Sequence, residues 1–110
     1  METGPRKVQS YQDGDVVPFD DWLQSLKDRK GTGQIEARIN KLRRGLLGDY
    51  DDVGEGILEL KLDNVGPGYR IYCADSGTDS LLLCGGTKKT QGADILRAKK
   101  LWKDFKNRDV

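Results

Sequence analysis

The sequence predicts an α+β fold: a single domain in the order β-α-α-β-β-β-α, with a curled antiparallel sheet packed against a helical hairpin and a C-terminal helix. Three observations lead there. Apolar residues recur at helical spacing in Phe19, Trp22, Leu23 and Leu26, and again in Ile35, Ile39, Leu42 and Leu46. The pattern then switches to alternation in Leu58, Leu60 and Leu62 and in Tyr69, Ile71 and Cys73. Helical spacing returns in Ile95, Ala98, Trp102 and Phe105. A chain of 110 residues holds one modest core, so residues 1–110 read as one domain. Its polar start, residues 1–6, is expected to be loose.

Each element has a local reason. Residues 7–12 alternate and predict a short strand, which Asp13-Gly14-Asp15 ends. Pro18 suits the first position of the first helix, which is expected to stop before Gly31-Thr32-Gly33. The second helix ends at Gly45 and Gly48, and the short link implies an antiparallel pair of helices. An acidic loop then leads to the half-buried strand 58–62. Asp63-Asn64-Val65-Gly66-Pro67-Gly68 is dense in turn residues. Next comes a β-hairpin: a strand from Tyr69, a turn at Ser76-Gly77-Thr78-Asp79, and strand 81–84, apolar enough to be central. Thr90 is a candidate cap for the last helix, with Asp94 in its first turn.

The net charge of +1 conceals segregation: residues 49–63 hold six acids against Lys61, and residues 88–108 hold eight bases against Asp94 and Asp104. A field of that shape suits an anionic ligand or an acidic partner, although a solvated lysine-rich helix face gives the same pattern. No apolar run approaches the ~18 residues of a membrane span, and METGPRKVQS lacks the form of a signal peptide. A soluble, cytoplasmic protein with no membrane partner is expected. Cys73 and Cys84, on opposite arms of the hairpin, are expected as buried free thiols.

Several chemistries are disfavoured. Without histidine there is no Ser-His-Asp, Cys-His or HExxH set, and two cysteines do not make a zinc site. The acidic stretch GDYDDVGEG lacks EF-hand spacing, and the Gly66-Pro67-Gly68 and Gly85-Gly86 glycines do not fit a P-loop. No metal and no cofactor are expected. Lys, Arg and Tyr can instead support phosphodiester cleavage by the 2′-hydroxyl of RNA. If the alternating apolar residues face the helices, then Lys61, Arg70 and Tyr72 share an opposite, open face. Lys88 and Lys89 emerge beside it at a helix start, where backbone amides also favour anions. Arg70 can grip a phosphate with two parallel donors. A lysine serves as base only with a pKa well below ~10.4, which neighbouring cations promote. An Arg70–Lys61–Lys88 cluster would supply both effects. The competing reading pairs Arg70 with a cross-strand acid such as Glu59 and leaves Lys61 an exposed strand charge.

These residues also carry a resemblance, running from about residue 19 to residue 99. Its marks are Phe19-x-x-Trp22-Leu23-x-x-Leu26, Ile35 with Arg38-Ile39, Gly54-Glu55-Gly56, Gly66-Pro67-Gly68-Tyr69-Arg70, and LLCGG leading to Lys88-x-x-Gln91-x-x-Asp94-Ile95. In their order and spacing they resemble the addiction-module killer toxins, HigB-like members of the RelE/ParE toxin superfamily. The resemblance implies the same β-α-α-β-β-β-α fold and a bacterial toxin of a type II toxin–antitoxin module, held inactive by a cognate antitoxin. RelE-like and HigB-like members cut mRNA in the ribosomal A site without a metal, so a ribosome-dependent mRNA endonuclease is expected. ParE-like members poison DNA gyrase instead, and a homologue that only binds its antitoxin is a further alternative.

Carried over by position, Arg70 corresponds to the arginine that stabilises the cleaved phosphate and Lys61 to a lysine proposed as base or phosphate contact. Lys88 falls where RelE-like enzymes place a second active-site arginine. Two positions depart from the pattern: Glu59 stands where a second lysine is common, and Asp94 where some members have a catalytic tyrosine. Tyr72 is a candidate substitute, as proton donor or as a stacking platform for a base. Lys89, Tyr72 and Gln91 are the expected RNA contacts.

Overall fold

The computed structural model describes residues 4–108. Strand β1 (Lys7–Ser10) leads into helices α1 (Pro18–Ser25) and α2 (Arg29–Arg43). Strands β2 (Tyr50–Gly54), β3 (Ile57–Leu62), β4 (Tyr69–Asp75) and β5 (Asp79–Thr87) follow, then a 3₁₀ turn (Lys88–Thr90) and helix α3 (Gln91–Asn107). The chain is the expected single α+β domain. Its sheet has five strands in the order β1-β5-β4-β3-β2, antiparallel except for β1, which lies parallel to β5 at one edge.

One strand more is present than the pattern predicts, because the supposed acidic loop is β2. Asp51 and Asp52 face solvent on an edge strand, so no apolar alternation marks it. Backbone pairing with β3 defines it, with Tyr50 opposite Leu60 and Asp51 opposite Glu59. Glu55 (φ 58°) and Gly56 (φ 83°) make the two-residue turn, both in the left-handed region that such hairpins require.

The helix boundary also moves. Gly31 and Gly33 lie inside α2, and the break falls at residues 26–28. Asp28 caps α2 by accepting from the Gly31 amide at 2.9 Å and also accepts from the Tyr69 hydroxyl at 2.8 Å. A Cβ on Gly31 would come within 2.5 Å of that carboxylate and 2.6 Å of the Tyr69 ring, so the glycine makes room for the cap rather than ending a helix.

The core has two parts, one on each face of the sheet. Phe19, Ile35, Ile39 and Leu42 pack on Leu60, Leu62, Tyr69, Ile71, Cys73 and Leu82. On the other face, Ala98 with the partly buried Ile95, Trp102 and Phe105 covers Ile57, Tyr72, Ala74, Leu83 and Cys84. The helices therefore do not share one face, and the face opposite α1 and α2 is not open. Ile57, Ala74, Leu83 and Cys84 give it an apolar patch of its own, which α3 seals. Cys73 and Cys84 are buried free thiols on opposite faces, each with its pKa pushed up to about 12, by burial above all.

The paired glycines of β5 follow from this arrangement. A Cβ on Gly85 would lie 2.2 Å from the Trp22 indole, and one on Gly86 would lie 1.8 Å from the Asp94 carboxylate. Helices from both layers approach the β5 backbone there, which leaves no space for a side chain. Thr90 makes no capping bond to α3; its hydroxyl donates to Asp94 and shares a reciprocal pair of contacts with Thr87. Of the supposedly loose segment 1–6, residues 1–3 lie outside the described residues. Arg6 is fixed: it is buried and donates to Asp75 at 3.0 Å. No helix among the described residues is long and apolar enough to cross a membrane.

Candidate functional site

Strand register sets the site. Glu59 stands opposite Tyr72 and Lys61 opposite Arg70 across β3 and β4, while Arg70 faces Gly86 across β5. The side chains of Glu59, Tyr72 and Arg70 thus project to the α3 side, at the end where α3 begins.

Glu59 is the anchor. It is 1% exposed, accepts from the Tyr72 hydroxyl at 2.7 Å, and accepts from Gln91 Nε2 at 2.9 and 2.8 Å through its two oxygens. Gln91 is the first residue of α3, so this carboxylate ties the helix start to the middle of the sheet. Burial, and then the bond to Glu59, drives the Tyr72 pKa upward, so the phenol stays protonated and donates inward.

Arg70 lies beside this lock and is 3% exposed. Nη1 donates to the Tyr69 and Gly68 carbonyls at 3.2 and 3.4 Å, and Nη2 pairs with Asp63 at 2.7 Å. Nε sits 3.8 Å from Glu59 and makes no hydrogen bond among the described residues. A buried guanidinium left uncompensated would cost several kcal/mol, and carboxylates on two sides answer that cost. The competing sequence reading, a cross-strand pair with Glu59, is therefore present.

Lys61 shares the face of Arg70 but leans the other way. Its ammonium lies 3.0 Å from Asp51 and 3.9 Å from Asp49. The hydrogen bond to Asp51 raises its pKa, the reverse of what a lysine base requires. The expected electropositive Arg70–Lys61–Lys88 cluster does not form, because acids from β2 and from the turn after β3 compensate two of its members. The charge pattern alone does not reveal this, because β2 carries Asp51 and Asp52 outward and shows no apolar alternation.

Lys88 and Lys89 are exposed on the 3₁₀ turn and form no ion pair among the described residues. The Lys88 amide donates to the Gly68 carbonyl at 2.8 Å. Gly68 (φ 81°) is the meeting point: a Cβ there would lie 3.3 Å from Lys88 Cβ, 3.8 Å from Arg70 Nη1 and 3.9 Å from Asp63 Oδ1. The Arg70 guanidinium and the Lys88 Cβ thus both lie against Gly68, while the Lys61 ammonium turns to Asp51. Among the expected RNA contacts, Lys89 is accessible. Tyr72 is fully buried and Gln91 is turned onto Glu59, so neither offers a surface for a base in this conformation. Asp63 was legible only as a turn residue. Its role beside Arg70 follows from Leu62 pairing with Tyr69, which sets the residue after β3 across from Gly68.

An apolar groove of about 320 Å³, lined by Leu81, Trp102 and Phe105 among others, lies elsewhere and holds none of these residues.

Fold and site together define an α+β domain whose last helix is locked to the sheet through a buried Glu–Tyr–Gln set, with an arginine bracketed by acids at its edge. The chain belongs to the same family as an uncharacterized protein of Haemophilus influenzae, to which it is 46% identical over 87 residues, 78% of this chain and 87% of the relative. No protein-family model and no solved structure matches it.

Proposed function

We propose that this protein is the toxin of a type II toxin–antitoxin module, neutralised in the cytoplasm by a cognate antitoxin. Its activity in this reading is metal-independent cleavage of mRNA on the ribosome, which halts translation. One observation supports the catalytic part above the others: Arg70 and Lys88, from separate elements, converge on Gly68. The Tyr69 and Gly68 carbonyls hold Nη1, and Glu59, itself fixed by Tyr72 and Gln91, lies 3.8 Å behind Nε, so the fork is oriented before a substrate arrives. Such a fixed cation stabilises the charge that builds on a pentacoordinate phosphate. Lys88 supplies a second positive charge and, in this reading, gives a proton to the departing 5′-oxygen. Lys61, engaged with Asp51, contributes at most to the surrounding field.

The test is mapping of mRNA 5′ ends in a cell-free translation extract with the wild type and the variants Arg70→Ala and Lys88→Ala. Ribosome-dependent cuts are expected from the wild type, with a loss of about 100-fold or more for Arg70→Ala. Equal cutting by all three proteins would overturn the assignment. The tight enclosure of Arg70 and the charge balance around it favour a second reading, a non-catalytic inhibitor acting by binding, for which DNA gyrase is the expected target. In that case Arg70→Ala still inhibits supercoiling and no mRNA is cut.

A further inference from the structure

The two carboxylates that bracket Arg70 are not equivalent. Glu59 is 1% exposed and held by Tyr72 and Gln91, whereas the Asp63 side chain is 46% exposed at the start of the turn that runs to Gly68. Asp63 holds Arg70 Nη2 at 2.7 Å, a distance equally suited to a phosphate oxygen. Among the described residues its carboxylate has no other ion pair within 4.0 Å. Behind it lies a guanidinium that is 3% exposed, with an Nε that no group satisfies by a hydrogen bond. Asp63 is the exposed partner of Nη2, so an anion that takes this donor displaces it.

We propose that Asp63 is a built-in substitute for the substrate phosphate, closing the Arg70 site until a phosphodiester displaces it. The inference rests on the reading of Arg70 as the phosphate-binding group. Glu59 cannot serve as the movable partner, because withdrawing it would break its bonds to Tyr72 and Gln91. Asp63 can move, because rotation of its side chain takes it into water. Lys88, free of ion pairs among the described residues and beside Gly68, gives a phosphate a second cation that the Asp63 carboxylate does not use. A phosphodiester carried in by other contacts therefore outcompetes Asp63, and a small free anion does so poorly. The device keeps the site closed away from bound RNA.

The experiment titrates inorganic phosphate into the wild type, Asp63→Ala and Asp63→Asn, following the Arg70 Nε–H resonance by NMR. Inhibition of cell-free translation is measured on the same proteins and on Arg70→Ala. Because the Asp63 carboxylate is half-exposed, displacing it reduces apparent affinity only a few-fold, so both Asp63 variants are expected to bind phosphate about fivefold more tightly. They are also expected to inhibit translation at lower concentration. Unchanged or weaker phosphate binding in the two folded variants would overturn the role of Asp63. If Arg70→Ala inhibits translation as the wild type does, the phosphate reading itself fails, whatever the Asp63 variants show.

Discussion

Strand β4 has two sides that differ in kind. Tyr69, Ile71 and Cys73 point towards α1 and α2 into a continuous apolar cluster, interrupted by little more than the Tyr69 hydroxyl on Asp28. Arg70, Tyr72 and Ala74 point the other way and pass from a charge to a hydroxyl to a methyl within five residues of backbone, numbers 70–74. The first side stabilises. The second is divided: its far end is apolar under α3, and its near end holds the Glu59 lock and Arg70. A buried polar set costs free energy unless every member is satisfied. Arg70 Nε, without a hydrogen bond, is the member that is not.

The comparison can be sharpened by substitution, and the largest effect belongs to the apolar side. Ile71→Ala removes a side chain with 0% exposure from the α1–α2 cluster and should cost about 2–5 kcal/mol in urea unfolding. On β5, Gly86→Ala should cost about 1–3 kcal/mol, because the new methyl meets Asp94 and the start of α3 must shift. On the proposed ribonuclease reading, the same variant should also lose mRNA cleavage, since α3 carries Gln91 and follows directly on Lys88. Tyr72→Phe leaves Glu59 short of one donor, for an expected cost of about 1–3 kcal/mol by the same unfolding measurement. If Tyr72→Phe is neutral, the polar side is not a lock.

Acid should act through Asp75 and Asp28. Burial pushes the Asp75 pKa up, but hydrogen bonds from Arg6 and Ser80 outweigh it and hold the group below its ordinary value of 3.8. The native state therefore binds this proton less readily than the unfolded chain. The stabilisation is full above pH 3.8 and is lost as pH falls through the lower native value. The amide from Gly31 and the hydroxyl of Tyr69 depress Asp28 in the same sense. Stability measured by circular dichroism should be flat near neutrality and fall in acid, and Asp75→Asn should flatten that fall. The smallest effect is expected from Lys61→Ala, whose exposed pair with Asp51 should leave the thermal midpoint unchanged.

The α1–α2 side was legible in the sequence because its residues keep one period per element: Phe19, Ile35, Ile39, Leu60 and Ile71 all land in one cluster. The other side was not, for two physical reasons. Alternation in 69–74 identifies a strand but does not say that both faces are covered, and Arg70 and Tyr72 look like solvent-facing residues until α3 lies over them. Strand β2 carries its acids outward and is defined by backbone pairing alone, so the partners of Lys61 could not be read. The meeting of Arg70 with Lys88 could be anticipated, because adjacent strands of a hairpin place one beside the other. Asp63 could not, since a turn rich in glycine and proline conceals a specific contact made by its first residue.

The most direct measurement of the central claim compares Arg70→Lys with the wild type for inhibition of cell-free translation, at matched folded fraction. Lysine keeps the positive charge but loses the two-pronged donor geometry. The expected result is a large loss of potency together with loss of the mRNA cuts. Equal potency, with the same cuts, would contradict a phosphate held by the guanidinium of Arg70.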